Sequence, residues 1–173
     1  MGMFMASLSF RKPEEIIWSK AKERIQQWLS DIEGLTNNLN TDTDAFAIVS
    51  PYGEDGMILA ESALPLSKII NGTVIMASCV DSDFNLLEVF DRGESVEKCC
   101  IGEFYEEYDE VMDCTAPNLD FWKTLLLDAD NVQELQKALY DEETFAEDNL
   151  RKLSELIGFP VFEDTLVFPD ECI

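Results

Sequence analysis

Apolar residues recur along this chain with two different periods, and the alternation of these periods predicts a mixed α and β structure. The largely apolar residues 1–10 predict a first strand. Residues 13–33 then carry apolar side chains three and four positions apart, as one face of a helix requires. Pro13 suits the first turn of this helix, and Gly34 suits its end. The face consists of Ile17, Ala21, Ile25, Trp28 and Ile32.

The strongest β signal lies in the middle of the chain. A loop at 35–43, a strand at 44–50 and a helix at 62–70 are expected before it. Three apolar-rich runs then follow, at 73–80, 84–90 and 94–101. The linkers between these runs are only three residues long, which predicts antiparallel neighbours in a three-stranded meander. Gly93, in the second linker, is predicted to have a positive φ.

The last third of the chain is predicted to be helical. The segment 102–117 carries six acids, no base and a proline, so it is expected to connect two parts of the fold. Two capping boxes open helices, the first at Asp130 and the second at Thr144. The elements expected there are helices at 118–127, from 130, and from 144 to 157 before Gly158, with a strand at 161–168.

These elements predict an α+β fold with a mainly antiparallel sheet. The sheet contains the central meander, and the N-terminal amphipathic helix and a cluster of C-terminal helices pack around it. The length of 173 residues favours a single acidic domain spanning 1–173, with a sub-boundary near 102–117. No motif in the sequence identifies a known family.

Charge narrows the possible functions by exclusion. The chain has 36 Asp and Glu against 12 Lys and Arg, a formal net charge of −24, and no histidine. A surface this acidic is expected not to bind nucleic acid, because phosphates need Lys and Arg to neutralise them. Without histidine, no Ser-His-Asp or Cys-His site can form. The sequence therefore predicts a protein that is not an enzyme and needs no cofactor.

Cysteine spacing and hydropathy give the expected compartment. The five cysteines are Cys79, Cys99, Cys100, Cys114 and Cys172. None forms a C-x-x-C pair, so all five are interpreted as small buried side chains in a reducing environment. No apolar run approaches 18 residues, and the positive charges at the N-terminus follow the apolar residues rather than precede them. We therefore expect no membrane association, and the cytoplasm is the expected location.

The acids are unevenly distributed, and this distribution gives the candidate interaction site. Of the 24 units of net negative charge, 20 lie after residue 72. Aromatic rings stand among the carboxylates at 103–110, as in interfaces whose anchors sit within a charged rim. We expect a basic protein partner to dock there, and the sequence leaves the oligomeric state open. The predicted partner-binding residues are Glu103, Tyr105, Glu106, Glu107, Tyr108, Asp109, Glu110, Asp141, Glu142 and Glu143.

One short motif raises the possibility of a metal site. Asp81 and Asp83 follow an apolar strand two positions apart, and such carboxylate pairs can hold a divalent cation. A turn between two strands accounts for Asp81-Ser82-Asp83 equally well, because these residues favour turns. The turn is the main interpretation, and Asp81 and Asp83 are kept only as weak metal candidates.

The predicted function is a non-enzymatic acidic protein-interaction domain. One concrete form is a stoichiometric inhibitor, similar in role to an immunity protein or antitoxin, whose carboxylates neutralise a cationic partner. The first alternative is a carboxylate- or divalent-metal-dependent hydrolase, because any two of the many acids could meet in space. The second is a structural or assembly subunit whose acidity serves only solubility.

Overall fold

A five-stranded antiparallel sheet forms the centre of the protein in a computed structural model, which describes residues 5–30, 45–50, 56–102, 115–141 and 145–162. Its strand order is β2-β1-β3-β4-β5, and every neighbouring pair is antiparallel. The strands are β1 (Met5–Arg11), β2 (Ala45–Ser50), β3 (Thr73–Val80), β4 (Phe84–Asp91) and β5 (Glu94–Gly102). The α+β class and the central meander of β3, β4 and β5 are therefore confirmed.

Helices cover both faces of this sheet. They are α1 (Glu15–Ser30), α2 (Gly56–Ile70), α3 (Leu119–Trp122), α4 (Val132–Tyr140) and α5 (Ala146–Ile157). Alternate residues of β1 point to opposite faces, so Leu8 and Phe10 join the core under α1 and α2. Met5 joins the second core, which is built with α4 and α5. The buried hydroxyl of Ser7 faces the same way and donates to the Val161 carbonyl at 2.8 Å. No described helix has the length and apolar character needed to cross a membrane.

The two turns of the meander are tight, and each contains residues in the left-handed backbone conformation. Arg92 and Gly93 have φ of 50° and 90°, so they form a two-residue turn of the mirror-image type that antiparallel strands prefer. The positive φ predicted for Gly93 is confirmed. A register irregularity lies further along β5, where Val89 faces Glu97 and Phe90 faces Ser95.

Two helices differ in extent from the sequence prediction. α2 begins at Gly56, six residues before the helix start expected at 62. Pro65 lies inside α2 at an exposed position, where water can satisfy the carbonyl that proline leaves unbonded. The helix expected at 118–127 is only the short α3, followed by a 3₁₀ turn at Lys123–Leu125.

The two capping boxes do not form as expected. Asp128, not Asp130, accepts a backbone N–H, and it does so for a 3₁₀ turn at Ala129–Asn131 that precedes α4. α5 has Phe145 at its N-cap without a side-chain bond, while Thr144 lies outside the described residues. The end of α5 is as predicted, because Gly158 adopts a left-handed φ of 65°. Of the strand expected at 161–168, only Val161 and Phe162 are described, and neither is in a strand.

Replacement of Gly93 by alanine is expected to lower the free energy of unfolding by about 1–2 kcal/mol, because a Cβ strains the backbone at positive φ. Gly72→Ala is the matched control, since its Cβ would meet only ordinary contacts at 3.8 Å or more. Urea denaturation of both variants measures the difference. Equal costs for the two substitutions would contradict the turn geometry.

Candidate functional site: the acidic end of the sheet

The structure describes only part of the predicted interaction site. Asp141 is described and follows the last residue of α4. Asp81 and Asp83 are exposed in the turn between β3 and β4, so the turn interpretation of this motif is confirmed. The predicted residues that lie outside the described ranges are Glu103, Tyr105, Glu106, Glu107, Tyr108, Asp109, Glu110, Glu142 and Glu143.

The β3–β4 turn is held in a left-handed conformation. Asp81 and Ser82 have φ of 51° and 61°, and the backbone N–H of Asp83 donates to the Val80 carbonyl at 3.0 Å. Asp tolerates this conformation better than most residues, because its short side chain can bond locally. The turn therefore fixes both carboxylates at the tip of a hairpin whose strands are buried on one face.

Strand pairing brings the described residues that flank several acidic segments to this same end of the sheet. Gly102, after which the segment 103–114 begins, pairs with Phe84 beside the turn. The segment ends near the same edge, because the Thr115 carbonyl accepts the Cys100 N–H at 3.0 Å. Ser50, which precedes the acids of 51–55, pairs with Ala6 near the start of β1.

Asp141 and Phe145, which flank the residues between α4 and α5, lie at this end as well. The Ala146 N–H donates to the Ser82 carbonyl at 3.1 Å, which ties the start of α5 to the β3–β4 turn. Asn149, in the first turns of α5, donates to the Asp141 carbonyl at 2.9 Å. We call this region the acidic end: the turn 81–83, Gly102, Asp141 and residues 145–147.

The sequence segments that include or adjoin in the chain the described residues at this end contain acids without bases. The segments 51–55, 81–83, 103–114 and 141–147 together contain 14 Asp and Glu and no Lys or Arg. All 12 Lys and Arg of the chain lie in the described residues with 18 of the 36 acids, so that part carries a net charge of only −6. The remaining −18 belongs to the connecting and terminal segments. The folded scaffold is thus nearly balanced in charge.

Basic side chains lie at the opposite end of the sheet. Arg92 is in the β4–β5 turn, and Lys68 lies close to Gly93 in the same turn. Arg11 ends β1, where its guanidinium lies 4.7 Å from the ring centroid of Phe159 and donates to the Gly158 carbonyl at 3.4 Å. Acids lie at this end too, since Arg92 pairs with Asp91 at 3.8 Å and Lys12 with Glu15 at 3.6 Å, so it carries both signs of charge, whereas the described residues of the acidic end include no Lys or Arg.

An exposed aromatic ring marks the acidic end. Phe145 is 67 % exposed, although it stands beside the buried Ala146. Its carbonyl accepts backbone N–H groups of Asp148 and Asn149, at 2.9 and 3.3 Å, so its backbone is fixed at the start of α5. The sequence prediction missed Phe145 because it fell inside a capping box. The available signal was an apolar residue within the acidic run 141–147.

Two thiols lie in the core on the same face as α4 and α5. Burial, and then the charges of Glu147 and Asp83, raise the pKa of Cys79 to about 12. Burial, and then the charge of Glu97, raise the pKa of Cys99 to about 12. A side-chain hydrogen bond with Trp122 partly offsets this by lowering the pKa of the same thiol. Both are protonated at neutral pH and therefore poor nucleophiles.

The expectation that all five cysteines are buried and reduced is wrong for one of them. Cys79 and Cys99 are free and buried, as expected. Cys100, the neighbour of Cys99, is instead disulfide-bonded. Adjacent strand residues point to opposite faces, so one of this pair is in the core while the other is available for bonding.

The raised thiol pKa values predict a loss of stability in alkali. In the unfolded chain these thiols ionise near pH 9, whereas in the folded protein they hold their protons to about pH 12. The stabilisation is thus complete below pH 9 and is lost as the pH rises through that window, by about 1.4 kcal/mol per pH unit for each thiol. Urea denaturation at several pH values measures this slope. Cys79→Ala should reduce it by about half, and an unchanged slope would contradict the prediction.

A shallow depression adjoins the acidic end on the outer side of α4. Its volume is about 500 Å³, and its lining includes Tyr140 and Asp141. The Tyr140 hydroxyl donates to the Pro117 carbonyl at 2.6 Å, which fixes the ring at the rim. Lys137, also in the lining, pairs with Glu134 at 3.0 Å. The polar groups of Tyr140 and Lys137 are thus already bonded to neighbouring residues of the protein.

The described residues contain no group of three or more Cys, Asp or Glu arranged to hold a metal ion. Comparison of the chain with protein-family models, with curated proteins and with solved structures gives no match.

Proposed function

We propose that this protein is a non-enzymatic interaction domain that binds a basic protein partner through its acidic end. One concrete form is a stoichiometric inhibitor of the immunity or antitoxin kind. The observation that carries the proposal is the distribution of charge. The described residues have a net charge of only −6, and Ser50, Gly102 and Asp141, after which acidic segments without Lys or Arg follow in the sequence, lie at one end of the sheet.

The exposed ring of Phe145 supports the proposal with a second kind of contact. Protein interfaces are commonly anchored by aromatic side chains surrounded by polar residues, and the ring stands among Asp141, Glu142, Glu143 and Glu147 in the sequence. Carboxylates would accelerate encounter with a cationic surface, while the ring would slow dissociation after docking. The predicted anchors Tyr105 and Tyr108 have the same role in this proposal.

An affinity capture from the source lysate at low and at high salt tests the proposal. We expect one basic protein to be retained at low salt and largely released at high salt, because exposed charges are screened beyond about 8–10 Å. Retention of only acidic or neutral assembly partners, independent of salt, would favour the alternative of a structural subunit. Hydrolysis of a chromogenic substrate panel by the purified chain would favour the hydrolase alternative.

Replacement of Phe145 by alanine is expected to raise the dissociation rate of the captured partner by about 10–100-fold, as loss of an interface anchor does. The association rate should change little, because the charge is unaltered. Ile16→Ala is the matched control: Ile16 is 69 % exposed, but it lies on α1, away from the acidic end. Surface plasmon resonance separates the two rates. Equal dissociation rates for both variants would remove Phe145 from the interface.

A further inference from the structure

Four buried side-chain atoms among the described residues have no oxygen or nitrogen hydrogen-bond partner. Two of them are donor nitrogens, Arg11 Nη2 and Trp122 Nε1, and they belong to different parts of the fold. The other two are acceptor oxygens, Asn85 Oδ1 and Glu147 Oε2. Unpaired buried acceptors are uncommon in folded proteins, so two at one place require a physical explanation.

The Asn85 amide is fixed by its surroundings. Asn85 lies on β4, its side chain is fully buried, and its Nδ2 donates to the Ala146 carbonyl at 2.6 Å. Only the nitrogen end of the amide can donate to a carbonyl, so the oxygen must point the other way. Oδ1 is thus held in the interior beside the start of α5, without a donor of its own.

Glu147 brings a carboxylate to the same place. It follows Ala146 directly, and its Oε1 accepts the Ser82 hydroxyl at 3.2 Å. Its charge acts on the thiol of Cys79, which lies opposite Asn85 in the β3–β4 pairing. The side chain of Asn85 and the carboxylate of Glu147 are therefore both tied to the region where the start of α5 meets the β3–β4 turn.

We propose that Asn85 Oδ1 and Glu147 Oε2 are ligands of a hard inorganic cation that ties the start of α5 to the β3–β4 turn. Amide, carboxylate and hydroxyl oxygens are the donors that Ca²⁺ accepts, with water completing its coordination, so Ca²⁺ is the first probe. A cation suits the site better than water alone, because one ligand is charged and further carboxylates stand nearby in the turn 81–83. This ligand set has a single carboxylate, unlike the Asp81 and Asp83 pair.

With one charged ligand, binding is expected to be weak, with a dissociation constant of roughly 0.1–1 mM. Isothermal titration calorimetry and thermal melting with CaCl₂ measure it, with choline chloride used to hold ionic strength constant. NaCl and MgCl₂ are titrated in the same way to identify the preferred ion. We expect saturable one-site binding of Ca²⁺ and a rise in melting temperature that saturates with it.

Glu147→Gln is the test variant, because it keeps the shape and the bond to Ser82 while removing the charge. Glu155→Gln is the matched control: it makes the same change on the same helix, at an exposed position near the other end of α5. Saturable binding retained in Glu155→Gln and lost in Glu147→Gln supports the site. Equal responses of the two variants, or stabilisation that follows ionic strength alone, would show that the oxygens are only hydrated. Neither outcome depends on a protein partner.

Discussion

Replacement of Trp122 by alanine is expected to lower the free energy of unfolding by about 3–5 kcal/mol, through lost burial and the cavity left behind. Trp122 ends α3, is fully buried and has the largest side chain in the core between the sheet and α4 and α5. A domain of this size has about 5–15 kcal/mol of stability in total, so the variant should be close to unfolding at physiological temperature. Urea denaturation followed by circular dichroism measures the loss.

Two further variants separate the cause of this loss. Trp122→Phe keeps most of the volume and removes an indole N–H that has no oxygen or nitrogen acceptor, so it should cost less than about 2 kcal/mol. Phe145→Ala removes a ring of similar size that is already exposed, and it should cost less than about 0.5 kcal/mol. A small effect of Trp122→Ala would mean that the short helix α3 does not close this core.

Neutralising three acids at the acidic end is expected to slow association with the basic partner by about 3–10-fold at low salt. The variant is Asp81→Asn, Asp83→Asn and Asp141→Asn, chosen because asparagine keeps the shape and tolerates the left-handed turn. The dissociation rate should change less, because Phe145 remains. The fold should be retained, since the change lowers the self-repulsion of a chain with net charge −24.

A matched variant controls for net charge alone. Glu14→Gln, Glu15→Gln and Glu94→Gln also remove three exposed charges, but these residues follow β1 or begin β5 at the opposite end of the sheet. Both variants have a net charge of −21, so they differ mainly in where on the protein the three charges are removed. Similar association rates for the two would show that the partner responds only to total charge.

The parts of the fold that depend on local sequence were predictable. The three-residue linkers at 81–83 and 91–93 gave the meander, and Gly158 gave the end of α5. The neighbours of β1 were not predictable, because its pairing with β2 and β3 joins residues far apart in the chain. The helix start predicted at Thr144 was displaced for a related reason: Phe145 is the N-cap of α5, and Glu147 bonds to Ser82 across the fold.

The candidate site was predictable in its charge and not in its geometry. Composition placed the acids after residue 72, but only strand pairing shows that Asp81, Asp83 and Gly102 meet at one end. Asn85 occupies an inward position of an apolar strand, and a polar residue there was a usable sign of an internal polar site. Phe145 was not predicted as a site residue because it lies inside the capping box expected at Thr144, whereas in the structure Phe145 itself is the N-cap of α5.

The most direct test of docking at the acidic end is the association rate constant with the captured partner, measured from about 10 mM to about 300 mM salt, where screening grows from weak to strong. Wild type and the two triple variants are compared. We predict a steep fall with salt for wild type and for the Glu14, Glu15 and Glu94 variant, and a shallower fall from a lower starting rate for the Asp81, Asp83 and Asp141 variant. Three coincident curves would contradict docking at the acidic end.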